Sequence, residues 1–237
     1  MKGIILAGGM GQRLYPLTMV TNKHLLPVGN KPMIFHPIEK LVSAGISDII
    51  IVTGTSHAGN MIRLLGSGDS FGCKFTYRVQ DSPDGIGGAL RLCKDIVGRD
   101  KCVVILGDNM FEDSLEKFIK NFNKSTASCM LLLKKVKDPC RFGVAVIENE
   151  KIVKIIENPS KPLSNFCVTG IYMYDHTVFE KIGSLTKSPR GEYEISHIND
   201  LYVMEENLTW DVLPGWWTDA GTHESYQEAN MLLWKNK

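Results

Sequence analysis

The sequence predicts an α/β domain built on a mostly parallel, mixed sheet flanked by helices, and three observations point there. Continuous aliphatic runs at Ile4–Ala7, Asp48–Thr53 and Cys102–Leu106 have the composition of strands buried on both faces. Segments with helical spacing of apolar residues separate them, and strands that alternate with helices imply right-handed crossovers and a parallel sheet. Beyond residue 125 the pattern changes character and becomes richer in strands. One domain over 1–237 is expected, with a first part, 1–125, and a smaller β-rich part, 126–237, because no linker, repeat or low-complexity stretch divides it.

Taken in order, Ile4–Ala7 is a short buried strand, and Gly8, Gly9 and Gly11 follow it directly. Pro32–Ala44 reads as an amphipathic helix, with Ile34, Ile38, Leu41 and Val42 on one side and Gly45 at its end. The strand Asp48–Thr53, a helix over His57–Leu65 and an alternating strand over Lys74–Gln80 come next. Ala89–Ile96 has helical spacing, and Cys102–Leu106 is a further buried strand. In the second part Ser128–Val136 and Gly143–Ile147 read as strands, and Lys151–Glu157 is placed to pair with the latter across Glu148-Asn149-Glu150. A strand over Val168–Tyr174, helices over Thr177–Leu185 and Glu194–Glu205, a strand over Leu208–Leu213 and a closing helix over His223–Trp234 complete the prediction. Ligands of such sheets bind beyond the carboxyl ends of the strands. Gly8, Gln80 and Asp108 all stand at or just past such ends, so three distant segments can share one crevice.

Composition narrows the function. With 27 basic and 26 acidic residues the net charge is +1, which argues against a nucleic-acid or membrane surface and requires any anion site to be built locally. The 43% hydrophobic content is enough for a large core, and no apolar stretch approaches a membrane span. Six cysteines show no paired metal spacing, and Cys102, Cys129 and Cys167 sit inside apolar runs, where the residue behaves as a small hydrophobe. Met1-Lys2 leads straight into a strand with no signal-peptide pattern, so a reduced, cytoplasmic protein is expected.

Glycines directly after a buried strand let the backbone turn sharply and present its N–H groups to phosphate oxygens. The cluster is not a dinucleotide fingerprint, since position 14 is Leu, nor a Walker loop, since Gln12-Arg13 follows Gly11. Arg13 and Lys23 beyond it suit a polyphosphate: a planar fork and a mobile point charge. The stretch LAGGMGQRLYPLT, continued by NKHLLPV, resembles the signature of sugar nucleotidyltransferases, most closely the short-form glucose-1-phosphate thymidylyltransferases. The likeness runs on through VQDSPDGIGGAL, VILGDN, RFGVA, CVTGIYMYD, SPRGEYEI and WWTDAGTHES, and so covers essentially the whole chain.

The resemblance implies a Rossmann-like fold and a definite reaction. A sugar 1-phosphate oxygen attacks the α-phosphorus of dTTP, giving dTDP-glucose and pyrophosphate, with Mg2+ as cofactor. UTP or another hexose 1-phosphate is the near alternative, and a non-catalytic nucleotide-sugar-binding subunit the distant one. Arg13, Lys23 and Asp108 take the catalytic positions, and Asp108 with Asp219 takes the metal positions. Leu6, Gly8, Gly9, Gly11, Gln80 and Gly85 fall at the nucleotide, where the Gln80 amide suits thymine and uracil equally. Gly143, Glu157, Val168, Tyr172, Arg190 and Trp217 fall at the sugar and its phosphate, with Tyr172 and Trp217 as walls. Two positions depart from the pattern. Asn158 stands where relatives carry a phosphate-binding lysine, a vacancy left open or filled by Lys161 three residues on, and His24 follows Lys23, where it reads as a packing residue. The partners implied are the nucleoside triphosphate and the sugar 1-phosphate, with neither nucleic acid nor membrane; assembly as a homo-oligomer stays open. Longer relatives continue past the helix that holds Trp234, so simpler regulation is expected here.

Overall fold

A computed structural model of the chain describes residues 1–235. In chain order its strands are β1 (Lys2–Ala7), β2 (Pro27–Val28), β3 (Lys31–Pro32), β4 (Asp48–Gly54), β5 (Lys74–Gln80), β6 (Cys102–Leu106) and β7 (Asn109–Phe111). They continue with β8 (Cys129–Lys135), β9 (Gly143–Glu148), β10 (Lys151–Glu157), β11 (Phe166–Tyr174), β12 (Leu208–Val212) and β13 (Trp217–Asp219). The helices are α1 (Phe35–Ser43), α2 (Ala58–Leu65), α3 (Gly85–Arg91), α4 (Lys94–Val97), α5 (Glu116–Lys124), α6 (Val178–Ser184), α7 (Ile195–Met204) and α8 (His223–Lys235).

Strand β1 lies at the centre because every side chain from Gly3 to Ala7 is buried. It pairs in parallel with β4 on one edge and β6 on the other, and β5 extends the sheet beyond β4. The chain thus leaves β1 in both directions, which opens a crevice at its carboxyl end. On the far side of β6 the sheet turns antiparallel: β11 pairs with β6, β8 pairs with β11, and β12 closes that edge in parallel with β8. The hairpin β9–β10 joins the start of β11 through Cys167 and Val144. Its turn is the pair Asn149 and Glu150, both at positive φ, as a tight hairpin requires.

Alternation along the strands divides the interior in two. Ile5, Ile49, Ile51, Val103 and Ile105 face one layer with α1, α2 and α5. Ile4, Leu6, Ile50, Val52 and Val104 face the other, with α3, α6 and α7. Among the described residues no helix is long and apolar enough to cross a membrane, and all six cysteines are free.

The element boundaries hold with a few corrections. Helix α1 starts at Phe35 rather than Pro32, because Lys31–Pro32 folds back on Pro27–Val28 as a two-stranded ribbon. The helix expected over Ala89–Ile96 forms instead as α3 and α4, with α3 beginning four residues earlier at Gly85. The cause is tertiary: Gly87 donates its N–H to Tyr193 O at 2.9 Å, and a Cβ there would stand 2.7 Å from that oxygen. Strands β7 and β13 and helix α5 are additions that the sequence did not announce.

Candidate active site

The loop after β1 is shaped by contacts that only glycine allows. A Cβ at Gly8 would lie 2.8 Å from Gln80 Oε1, so the backbone passes directly beneath that amide. Gly11 is left-handed, at φ 67°, and its carbonyl accepts a hydrogen bond from Thr18 Oγ1 at 2.9 Å. Beyond it the chain makes a short 3-10 turn that carries Arg13, exposed, at Gln12–Leu14.

Leu6, Gly8, Gly9, Lys23, Gln80, Gly85 and Asp108 all line one cleft of about 310 Å³, with Pro83, Ile86 and Ala89 as apolar wall. The structure therefore brings together five of the six positions expected at the nucleotide, and Gly11 stands just outside. Gln80 donates from Nε2 to Asp84 Oδ1 at 2.7 Å and to Gly85 O at 3.2 Å. Its N–H groups are thus engaged by the protein, which leaves Oε1 as the acceptor beside Gly8. A roomier groove of 560 Å³ between Phe35, Leu64 and Phe71 holds none of these residues.

Asp108 and Asp219 meet because β7 and β13 pair: Asp219 lies opposite Asn109, and Ala220 donates its N–H to Asp108 O at 2.7 Å. A Cβ at Gly221 would stand 3.2 Å from an Arg13 guanidinium nitrogen, 3.4 Å from Asp108 Oδ2 and 3.6 Å from Asp219 Oδ2. One point in space is thus shared by two carboxylates and a cation. Lys23 ion-pairs with Asp108, and Asn109 Nδ2 donates to its other oxygen at 3.1 Å. Burial alone would disfavour the charged Asp108, but the adjacent Lys23 ammonium and these hydrogen bonds outweigh it and hold its carboxyl well below the usual range. Asp219 goes the other way, raised by burial and by the like charge of Asp108, against the opposing pull of Arg141 and Arg13. The raised Asp219 carboxyl is what burial beside a second carboxylate produces, and positive charge added at that point would favour its ionised form.

Both acids offer hard oxygen donors, and among the described residues no cluster of three or more His, Cys, Asp or Glu forms a complete cage. That donor set fits magnesium, which takes one or two carboxylates and fills its remaining positions with substrate phosphates and water.

Of the residues expected at the sugar, Glu157 lies opposite Gly143 in the β9–β10 ladder. Burial and the charge of Glu194 raise its pKa, against Arg190. Tyr172 is buried against Tyr174, and the charges of Glu157 and Asp108 add to burial in raising its phenol. The ring is thus buried rather than open as a wall. Val168 lies at the start of an irregularity in the β11–β8 register. Arg190 is engaged by Glu194, at 3.1 Å from Nε and 3.0 Å from a terminal nitrogen. Trp217 does not stand open as a wall. It packs into the core, edge-on to Phe142 at 5.3 Å, with its indole N–H donating to Asn109 Oδ1 at 2.8 Å. Lys161 is exposed.

His24 is fully enclosed, as a packing residue would be, yet it also borders the cleft. Asn22 Oδ1 accepts from its backbone N–H at 2.8 Å and lies 2.7 Å from Nδ1, which fixes Nδ1 as a donor. Burial and the neighbouring Lys23 depress its pKa to about 3, so the ring is neutral. Two residues went unnoticed in the sequence. Asn109 accepts from Gly170 N–H at 2.8 Å and from Trp217, so it knots β7, β11 and β13 together behind Asp108. Arg141 reaches Asp219 Oδ1 at 3.4 Å. Their motifs, GDN and RFG, are visible, but contacts made across more than 60 residues are not.

The model of a family described as nucleotidyl transferase matches residues 2–236. Over 97% of this chain and 81% of its own length, a glucose-1-phosphate thymidylyltransferase of Neisseria meningitidis is 43% identical. A second enzyme of that name, from Mycolicibacterium smegmatis, is 38% identical over the same shares. A crystal structure of a Bacillus anthracis protein assigned as a glucose-1-phosphate thymidylyltransferase, in complex with a sucrose, superposes with a TM-score of 0.95. It is 55% identical and covers 98% of this chain and 94% of that one. An apo UDP-glucose pyrophosphorylase, 23% identical with a TM-score of 0.87 over 100% of this chain and 99% of its own, shares the fold.

Proposed function

The chain belongs to the nucleotidyl transferase family, and from that premise we propose that it joins dTTP and glucose 1-phosphate into dTDP-glucose, releasing pyrophosphate. One observation carries the reading: two carboxylates and the Arg13 guanidinium share a single point, with Asp108 lining the cleft and Asp219 reached by Arg141, whose neighbour Phe142 runs beside the strand end that carries Glu157. On this reading the α-phosphate of a nucleotide in the cleft and the phosphate of a sugar on Glu157 meet at that point.

The chemistry asks little of a base. The second pKa of a phosphate monoester is about 6, so glucose 1-phosphate is largely dianionic at neutral pH and is its own nucleophile. The difficulty lies in bringing two anions together and in stabilising charge on the departing pyrophosphate, which is the work of positioned cations. Arg13 and Lys23 are the chain's cations for the triphosphate. Asp108 and Asp219 would hold magnesium, which when bound neutralises charge on the reacting phosphates. Gln80 Oε1 takes N3–H of the base, Gly8 and Gly85 let the backbone approach it, and Pro83, Ile86 and Ala89 offer apolar contact to a methyl group, which favours thymine over uracil. Glu157 accepts from the sugar hydroxyls.

The test is a matrix of dTTP and UTP against glucose, galactose and mannose 1-phosphates, scored as kcat/KM from pyrophosphate release. The highest value is expected for dTTP with glucose 1-phosphate. A higher value with UTP would overturn the base assignment, and no release with any pair would overturn the activity.

A further inference from the structure

Arg141 closes the segment between β8 and β9, and its position is set from three sides. Its neighbour Phe142 accepts a hydrogen bond from Asn158 N–H at 3.1 Å, so the backbone at 141–143 runs beside the end of β10 that carries Glu157. The Phe142 ring packs on Trp217, two residues before Asp219, and the guanidinium lies over the Phe142 ring at 4.9 Å. From there it extends to Asp219, 3.4 Å away, with its side chain half exposed. It therefore spans the gap between the sugar-binding strand pair and the two acids that meet at Gly221.

Of the other groups near that gap, Arg13 stands at the same corner and is the cation assigned to the triphosphate. Arg190 is spent on Glu194, and Asn158 offers a neutral amide. Arg141 by contrast makes a single long hydrogen bond among the described residues, to Asp219, although a guanidinium carries five N–H donors in a fork that matches two phosphate oxygens. Asp138 and Glu224 also feel its charge, so it is partly neutralised but not sequestered.

On the reading of the site as one for glucose 1-phosphate, we infer that Arg141 binds the sugar phosphate and holds it against the Asp108–Asp219 corner. The alternative is a structural counter-ion that only neutralises Asp219. The two differ in what they affect: a phosphate ligand acts on the sugar substrate alone, whereas a counter-ion of Asp219 acts on magnesium and on the triphosphate.

Calorimetry separates them, with glucose 1-phosphate titrated into protein saturated with magnesium and a dTTP analogue whose α,β bridge is a methylene, so that no turnover occurs. Arg141→Ala is expected to weaken glucose 1-phosphate by at least about tenfold. The analogue's own Kd and the half-saturating magnesium concentration should stay within about twofold, with Tm unchanged. Arg141→Lys should recover part of the loss, since a point charge replaces the fork without its bidentate geometry. Unchanged glucose 1-phosphate affinity in Arg141→Ala, or equal weakening of sugar phosphate, analogue and magnesium, would overturn the inference. Turnover of dTTP and glucose 1-phosphate by the native chain is measured on the same preparation. If the native chain turns these over, a failed Arg141 result removes this inference alone; if it neither turns them over nor binds glucose 1-phosphate, the proposed function falls and the inference with it.

Discussion

Asp108 and His24 both feel the Lys23 ammonium, and their opposite charge states show what a single residue can report about the site. Asp108 is kept charged by Lys23 against the cost of burial, so an isosteric amide removes the charge and leaves the shape. Asp108→Asn should lower kcat on the order of 100- to 1000-fold, the range for losing one electrostatic contact to a transition state, while circular dichroism stays native. A folded variant with near-native kcat at saturating magnesium would remove Asp108 from the reaction. His24 allows a prediction about stability. Its folded pKa lies at about 3, below its ordinary 6.5, so between these values the unfolded chain binds a proton that the folded chain does not. Stability is full above pH 6.5 and declines as pH falls, by at most about 1.4 kcal/mol per unit from this group. Urea titrations from pH 7 to 5 should show a smaller loss for His24→Gln than for the native chain; equal losses would show that the ring does not resist protonation. The sequence made Lys23, Asp108 and Asp219 legible because each stands in a local motif. Asn109 was not, because its meaning comes from Gly170 and Trp217. Asn109→Ala should cost on the order of 2–4 kcal/mol in urea unfolding, since two buried N–H donors lose their acceptor.

At the scale of elements, the strands were the most legible, because a buried parallel strand is a continuous aliphatic run whatever surrounds it. Helices fared worse wherever packing overrode propensity. Gly87 and Gly88 argue against a helix in isolation, but α3 uses the missing side chain at Gly87 to lie against Tyr193 and that at Gly88 to lie against the Asp84 carboxylate. Helix α5 is nine residues long with Phe118 and Phe122 as its buried pair, too brief for a period to stand out. Asn158 belongs here as well, since its identity is explained by backbone shape. It sits at φ 45°, a left-handed conformation that Asn adopts far more readily than other side-chain-bearing residues. Asn158→Gly should therefore leave Tm nearly unchanged, whereas Asn158→Lys should lower stability by roughly 1 kcal/mol, a difference that thermal melts resolve. A lysine as stable as the asparagine would mean that the turn after β10 relaxes freely.

Over the whole molecule, the two parts read from the sequence are joined through the sheet itself, since β6 from the first pairs with β11 from the second at Ile105 and Ile171. The turn after β6 carries Asp108, and the β7–β13 ribbon brings Asp219 to it, so the corner where the acids meet depends on both parts folding together. The sequence located the ends of the strands but not this meeting, because β7 and β13 are three residues each and 108 residues separate Asn109 from Trp217. The central claim is that this corner joins a nucleotide to a sugar phosphate. Phosphorus-31 NMR of the chain with magnesium, dTTP and glucose 1-phosphate tests it most directly. The account predicts the diphosphate resonances of dTDP-glucose and one equivalent of pyrophosphate, growing together as both substrates disappear, with neither formed at a comparable rate by folded Asp108→Asn. Substrate signals that persist unchanged with the native chain, or orthophosphate in place of pyrophosphate, would contradict it.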